Sequence, residues 1–350
     1  MKNIEPLWIS LPKAVKRYRY ISFMRTIINS LRIFFGLVSF GSPERPLFMT
    51  CSISEDYARI WHYFAKKHLD LNKWNLLIID SAGDFDERKF EGTKVIKFLN
   101  FYHGKKMDYL LRKVIKSKIV FLCDDDKYLL QDVSDHLDFF DIDRQKNVAV
   151  SFSPRTWWKF VISGREYLPM GSYALMFDRE KFIEQNLHLN SPVGLKSRYK
   201  VFAAGAKQQL GYDTTDYANE QLLLAGYNIM TLPNNDYFSG FDGLSSPRIL
   251  LMSRGHDYVK SALLEAGDYK EGTTSGGVMK AAYGIVKMER LYRSLFGEEP
   301  RYVSGFSEGE LREVVEKNNK VAEVGKNKIQ AYFEMLDKRF EHLAESLKAG

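Results

Sequence analysis

The sequence predicts an α/β fold: a mostly parallel sheet flanked by helices, with helical extensions at both ends. Three observations carry this. Beyond Pro43 and Pro46, short apolar runs alternate with helical segments, the pattern of a sheet covered on both faces. The apolar run SKIVFLCDDD, residues 117–126, stops on three carboxylates, and ligands of such sheets gather at the carboxyl ends of strands. Before residue 46 and after residue 300, apolar residues recur at helical rather than strand spacing.

Taken in order, residues 13–38 place Ile21, Met24, Ile28, Leu31, Phe35 and Val38 at helical steps, with Lys13, Lys16, Arg17, Arg19, Arg25 and Arg32 among them. Such a segment either lies on an anionic membrane or docks on its own domain. The span Leu47 to Ile53 reads as a strand, Glu55 to His68 as a helix, and Trp74 to Asp80 and Thr93 to Leu99 as strands. A helix over Lys105 to Lys116 leads to a strand over Lys118 to Cys123. Val148 to Ser153 and Tyr173 to Phe177 follow as strands, separated by the aromatic and basic stretch Arg155 to Tyr167. A helix with an acidic start near Asp213 closes at Gly226, and a strand runs on towards Pro233. Beyond Ser307, Ile329, Phe333, Leu336, Phe340, Leu343 and Leu347 alternate steps of four and three, a short heptad seam. That seam, over 329–347, can join a second copy or pack on the body of the chain. The divisions expected are 1–45 as a basic amphipathic helical segment, 46–300 as the main domain, and 301–350 as a helical or short coiled-coil segment.

The 350 residues, 45% of them apolar, suffice for a large core. A net charge of +7 suits an anionic partner, but Asp and Glu are interspersed throughout, which argues against a nucleic-acid scaffold. Two cysteines, Cys51 and Cys123, give neither a disulfide framework nor a zinc pattern and point to a reducing, cytoplasmic setting. No run reaches the roughly 20 apolar residues that span a bilayer.

The aspartate triplet carries the chemistry. Side chains alternate along a strand, so Asp124 and Asp126 are expected to point the same way and to grip one divalent cation, Mn²⁺ or Mg²⁺, through hard oxygen ligands. Clustered carboxylates at the end of a buried strand repel one another without such a counter-ion.

Three stretches together resemble the nucleotide-sugar-binding half of a GT-A fold glycosyltransferase, most like the family 2 type, whose sheet is Rossmann-like. Trp74-Asn-Leu-Leu-Ile-Ile-Asp80 with Ser81-Ala-Gly-Asp-Phe-Asp86 resembles the strand and turn that hold base and ribose; His103-Gly-Lys-Lys106 resembles the segment beside the donor diphosphate; Asp124-Asp-Asp126 resembles the DxD motif. The likeness covers about residues 47–180. The chain departs from the pattern at the second stretch, which lacks the longer Asn- and Arg-containing signature.

The resemblance implies a metal-dependent transfer of sugar from a nucleotide-diphosphate sugar, a UDP-sugar foremost, to a glycan or lipid-linked acceptor. It places Thr50, Ser52, Asp80, Lys106, Asp125, Gly171 and Ser172 on the donor, with Gly171 allowing close backbone approach. Asp124, Asp126 and the late His256 become the metal ligands, His256 through a neutral imidazole. Inversion requires a base on the acceptor hydroxyl, and Asp216 stands near the helix start where such a carboxylate belongs. Asp216 can equally satisfy the helix dipole in the first turn, with Asp213 or Thr214 as cap; Glu220 is the next carboxylate on that face. Trp157 and Trp158 face opposite sides if they lie on a strand, so one at most meets a sugar ring. The setting implied is cell-surface polysaccharide assembly, peripheral on the inner face of the membrane. The alternatives are a retaining enzyme of the same fold or a metal-dependent phosphotransferase or phosphatase, although Lys127 and Tyr128 stand where the last would want a small hydroxyl residue.

Overall fold

The computed structural model describes residues 13–101, 103–204, 208, 210–233, 236–241, 244, 274–301 and 303–348, with 13–23 and 274–278 by backbone alone. After helix α1 (Lys13–Phe34) come β1 (Leu47–Ser52), α2 (Glu55–His68), β2 (Asn75–Asp80), β3 (Lys94–Lys97) and α3 (His103–Tyr109). Next are β4 (Ile119–Cys123), β5 (Lys127–Leu129), α4 (Asp138–Ile142), β6 (Asn147–Ser151), β7 (Trp158–Ile162), β8 (Arg165–Tyr167) and β9 (Ala174–Asp178). The remainder is α5 (Arg179–Glu184), β10 (Lys200–Phe202), α6 (Asp216–Leu224), β11 (Asn228–Thr231), β12 (Phe238–Gly240), α7 (Thr274–Phe296), α8 (Glu308–Lys317) and α9 (Glu323–Lys348).

Seven strands form the central sheet in the order β11-β6-β9-β4-β1-β2-β3. All run parallel except β9, which pairs antiparallel with both β4 and β6. This is the α/β architecture expected, mostly parallel, flanked by helices and extended by helices at both ends. The strands read as continuous apolar runs because both faces are buried. Alternation divides them cleanly: Phe48, Ile78, Phe121 and Met176 enter one core, while Met49, Ile79, Leu122 and Phe177 enter the other. Two small antiparallel sheets accompany it, β10-β7-β8 and β12-β5, neither expected from the sequence.

The helix α2 begins on Glu55 and Asp56 and ends on Lys66, Lys67 and His68, both favourable to its dipole. Its Tyr57, Ile60, Trp61 and Phe64 form one apolar face, and Trp61 stacks on Phe48 at 4.9 Å. The helix expected over Lys105 to Lys116 instead starts at His103 and winds its last turn, Leu110–Val114, as a π turn.

The heptad seam is used inside the chain. Ile329, Phe333, Leu336, Phe340 and Leu343 of α9 are buried in the same core as Phe48 and Trp61, and Phe333 stacks on Tyr283 of α7 at 3.9 Å. Of the two alternatives for 329–347, packing on the body of the chain is the one these five side chains adopt.

Candidate active site

Parallel pairing brings the carboxyl ends of β1, β2 and β4 side by side. Ser52 is opposite Asp80, and Met49 opposite Leu122 two positions ahead of the triplet. On the far side of β4 the antiparallel β9 contributes its beginning, and the Asp124 N–H donates to the Tyr173 carbonyl at 2.9 Å. Ser52, Ser81, Asp124, Asp125, Asp126 and Tyr173 therefore share one edge of the sheet.

The triplet does not continue the strand. Pairing stops at Cys123, Asp125 and Asp126 occupy a turn, and the expected alternation lapses with it. Asp124 is half-buried. The Asp125 carboxylate accepts from the Ser52 hydroxyl, and burial, followed by the charge of Asp126, pushes its pKa up to about 7. Asp126 turns towards Phe241 and Leu244, its side chain accepting from the Leu244 N–H at 3.1 Å and its carbonyl from the Phe241 N–H at 2.9 Å. The donor set is oxygen, suited to a hard divalent cation, and carboxylates set this deep are relieved by one. Among the described residues no three His, Cys, Asp or Glu side chains close into a ligand set. His256 lies outside the described residues.

Across from the triplet, Lys106 is buried. Its ammonium donates to Ser81 Oγ at 2.7 Å and Asn100 Oδ1 at 3.3 Å, both neutral. A buried ammonium without an ion-paired carboxylate among the described residues is expensive, and it fits a site built to receive an anion. Burial and the Lys106 charge hold His103 down at about 4, so it is neutral near pH 7. Gly104 lets α3 close on residue 190, where an added Cβ would meet Asn190 Cα at 2.8 Å.

Of the residues expected on the donor, Asp80 and Gly171 are engaged elsewhere and Thr50 and Ser172 are buried. Asp80 is sealed from solvent, accepting from Gly83 N–H at 2.5 Å, Phe85 N–H at 3.0 Å and Lys97 Nζ at 3.0 Å, so it organises its own turn. Thr50 is fully enclosed in β1, its hydroxyl unpartnered. Gly171 does permit a close approach, but of the Ser153 carbonyl, with which a Cβ would collide; Ser172 is buried beside it.

A second group flanks Tyr173, whose phenol lies within the electrostatic reach of Arg155, Asp213 and Asp124. Asp216, expected to act as base, is 1% exposed and fully committed. Arg155 pairs with its Oδ1, and Lys200 Nζ lies 2.7 Å from Oδ2, which also accepts from the Asp213 N–H at 3.0 Å. Both oxygens of this enclosed carboxylate are engaged by described partners, and Asp216 anchors Arg155. The Asp213 side chain is 55% exposed, with Oδ2 3.2 Å from Arg155 Nη2. Glu220 is buried and accepts from Ser197 and from Tyr212 at 2.7 Å. Trp158 is buried in the hairpin cluster with the Lys200 ammonium 4.1 Å from its ring centroid, whereas Trp157 is exposed. Sequence reasoning missed Asn100, Arg155, Tyr173, Lys200 and the open side of Asp213. Only Arg155 carried a signal, at the head of a basic and aromatic stretch.

No family model and no curated protein matches the chain, so the resemblance to family 2 has no counterpart there. Among solved structures, residues 1–349 of TarS from S. aureus align at 12% identity over 87% of this chain and 92% of that one, TM-score 0.38. A mannosyltransferase from Pyrobaculum calidifontis, in complex with GDP-Man and Mn²⁺, aligns at 11% identity over 93% and 96%, TM-score 0.38. A CMP:2-keto-3-deoxy-manno-octonic acid synthetase complexed with CTP aligns at 14% identity over 59% and 95%, TM-score 0.35. Superpositions at these scores are loose.

Proposed function

We propose that the chain is a metal-dependent glycosyltransferase that moves a sugar from a nucleoside-diphosphate sugar, a UDP-sugar foremost, to a hydroxyl of a glycan or lipid-linked acceptor. One observation carries the reading: at a single edge of the sheet, a buried ammonium, Lys106, whose hydrogen-bond partners among the described residues are neutral, stands across from three clustered carboxylates, Asp124, Asp125 and Asp126. Phosphate oxygens need the first, and a cation shared with them needs the second.

Asp124 and Asp126 would hold the cation, which when bound neutralises charge growing on the departing diphosphate. Lys106 and Ser81 hold phosphate oxygens from the other side. The Ser52 hydroxyl fixes Asp125 beside the pair. Asp213 takes the proton of the acceptor hydroxyl as that oxygen bonds to the anomeric carbon and the bond to the diphosphate oxygen breaks. A single displacement of this kind inverts the anomeric centre. Arg155, held by Asp216, orients Asp213 from behind. Assembly of a cell-surface polysaccharide is the setting this chemistry fits.

Thermal shift with UDP, GDP and CDP, each with Mn²⁺ and with EDTA, tests the reading, because a ligand bound only to the native state raises its melting point. One nucleotide should stabilise the protein in Mn²⁺, and the metal-dependent part should vanish in Asp124→Asn and Asp126→Asn. Unchanged melting with all three would defeat the proposal, as would phosphate release from simple phosphomonoesters in place of sugar transfer.

A further inference from the structure

The helix α1 is inverted. An amphipathic helix on a globular domain normally turns its apolar stripe inward. Here the inward face is small and polar: Thr26 and Ser30 are buried with Ile33, the Asn29 amide donates to the Lys97 carbonyl at 2.6 Å, and Ser30 Oγ accepts from the Leu99 N–H at 3.1 Å. The outward face carries Met24, Ile28, Leu31 and Phe35 at steps of four, three and four, with Ile28 54% and Phe35 75% exposed. The helix ends in a Schellman turn, with Gly36 N–H donating to the Ile33 carbonyl and Leu37 N–H to that of Arg32; Leu37, which such a turn usually packs inward, is exposed. Phe34 and Tyr109 extend the patch, their rings 5.1 Å apart.

Charge decides the occupant. The 22 residues of α1 hold six basic side chains and no acidic one, and Arg25 and Arg32 are exposed beside the stripe. Lys105 and Lys113, on the neighbouring helix and its π turn, are exposed as well. A second copy of so basic a face would be repelled, whereas an anionic bilayer attracts it while taking up the apolar stripe. No described helix is long and apolar enough to cross a membrane, so the contact is interfacial. We propose that the outward face of α1, with Met24, Ile28, Leu31, Phe35 and Leu37 inserted and Arg25 and Arg32 at the headgroups, docks the protein on an anionic lipid surface. The inference is independent of the reaction assigned above.

Co-sedimentation of the full chain with vesicles tests it, comparing phosphatidylcholine alone with an equal mixture of phosphatidylglycerol and phosphatidylcholine. The chain should sediment with the anionic vesicles and release as salt rises. Arg25→Gln with Arg32→Gln should weaken binding roughly 10- to 30-fold. Ile28→Ser, Leu31→Ser and Phe35→Ser together should weaken it by at least about tenfold at unchanged melting temperature, because these side chains are exposed. Absence of binding, equal binding to both vesicle types, or full binding by the triple variant would overturn the proposal. So would a concentration-dependent dimer that the triple variant abolishes in the absence of vesicle binding, which would make this face a contact between copies.

Discussion

Lys106 Nζ stands 2.7 Å from Ser81 Oγ, a buried cation resting on a neutral hydroxyl at the end of the second strand. Its charge acts on Asp125 and on whatever anion reaches that edge. Lys106→Met keeps most of the buried stem and removes the ammonium. The nucleotide identified by thermal shift should then bind roughly 10- to 100-fold more weakly by calorimetry, the worth of a charge-assisted hydrogen bond. Unchanged affinity would take Lys106 out of the site.

The two carboxylates at the head of α6 should separate in one experiment. Asp213→Asn neutralises an exposed carboxylate and should lower kcat by about a hundredfold or more, with melting temperature and KM little changed. Asp216→Asn leaves Arg155 and Lys200 buried beside a neutral group and should cost about 3–5 kcal/mol of stability. A stable Asp216→Asn protein without turnover would return the role of base to Asp216.

Gly171→Ala should destabilise without any direct loss of a ligand contact. The new Cβ would press on the Ser153 backbone carbonyl, which has little room to yield, for a cost of about 1–3 kcal/mol. Chemical denaturation reads this directly, and a neutral result would mean that the strand entry relaxes.

Acid should weaken the fold through His62. Its Nε2 lies 3.1 Å from the Glu91 carbonyl, and burial pushes its pKa down to about 4. In the unfolded chain the ring titrates near 6.5. Its contribution is therefore complete above pH 6.5 and is lost as pH falls towards 4, by roughly 3 kcal/mol at the lower limit. Melting curves of His62→Gln should be flatter across that window than those of the parent; identical slopes would assign the acid sensitivity elsewhere.

Phe333→Ala should cost about 3–5 kcal/mol, as expected for an aromatic ring lost from a core. Sedimentation should show the same mass for parent and variant at low denaturant. A change of mass would restore the seam as a contact between chains.

The sheet was legible because its strands are apolar on both faces, a pattern that needs no tertiary knowledge to see. Leu47–Ser52 and Ile119–Cys123 lie within the spans expected, and Glu55–His68 coincides with its expected helix. The edge that carries the clustered carboxylates was legible too, since one strand ends on Asp80 and another runs up to Asp124. What each polar side chain does there was not. Asp80 and Asp216 are carboxylates at suggestive places, yet one is consumed by the turn after it and the other by Arg155, 61 positions away. Sequence neighbours cannot reveal partners that distant. The inversion of α1 was hidden for a related reason: its periodicity is visible in the chain, but not which side of it meets the domain.

One feature of the sheet governs how the molecule can be instrumented. The β9 strand runs against its neighbours, so the polypeptide enters it at the edge that carries the aspartates, through Tyr173, and leaves at the far rim, where α5 begins. A fluorophore on exposed Glu184 of α5 would therefore report global unfolding from a position remote from ligand, while the same dye at position 173 would sense nucleotide arrival. Paired, the two labels give an optical ruler across a single strand of five residues.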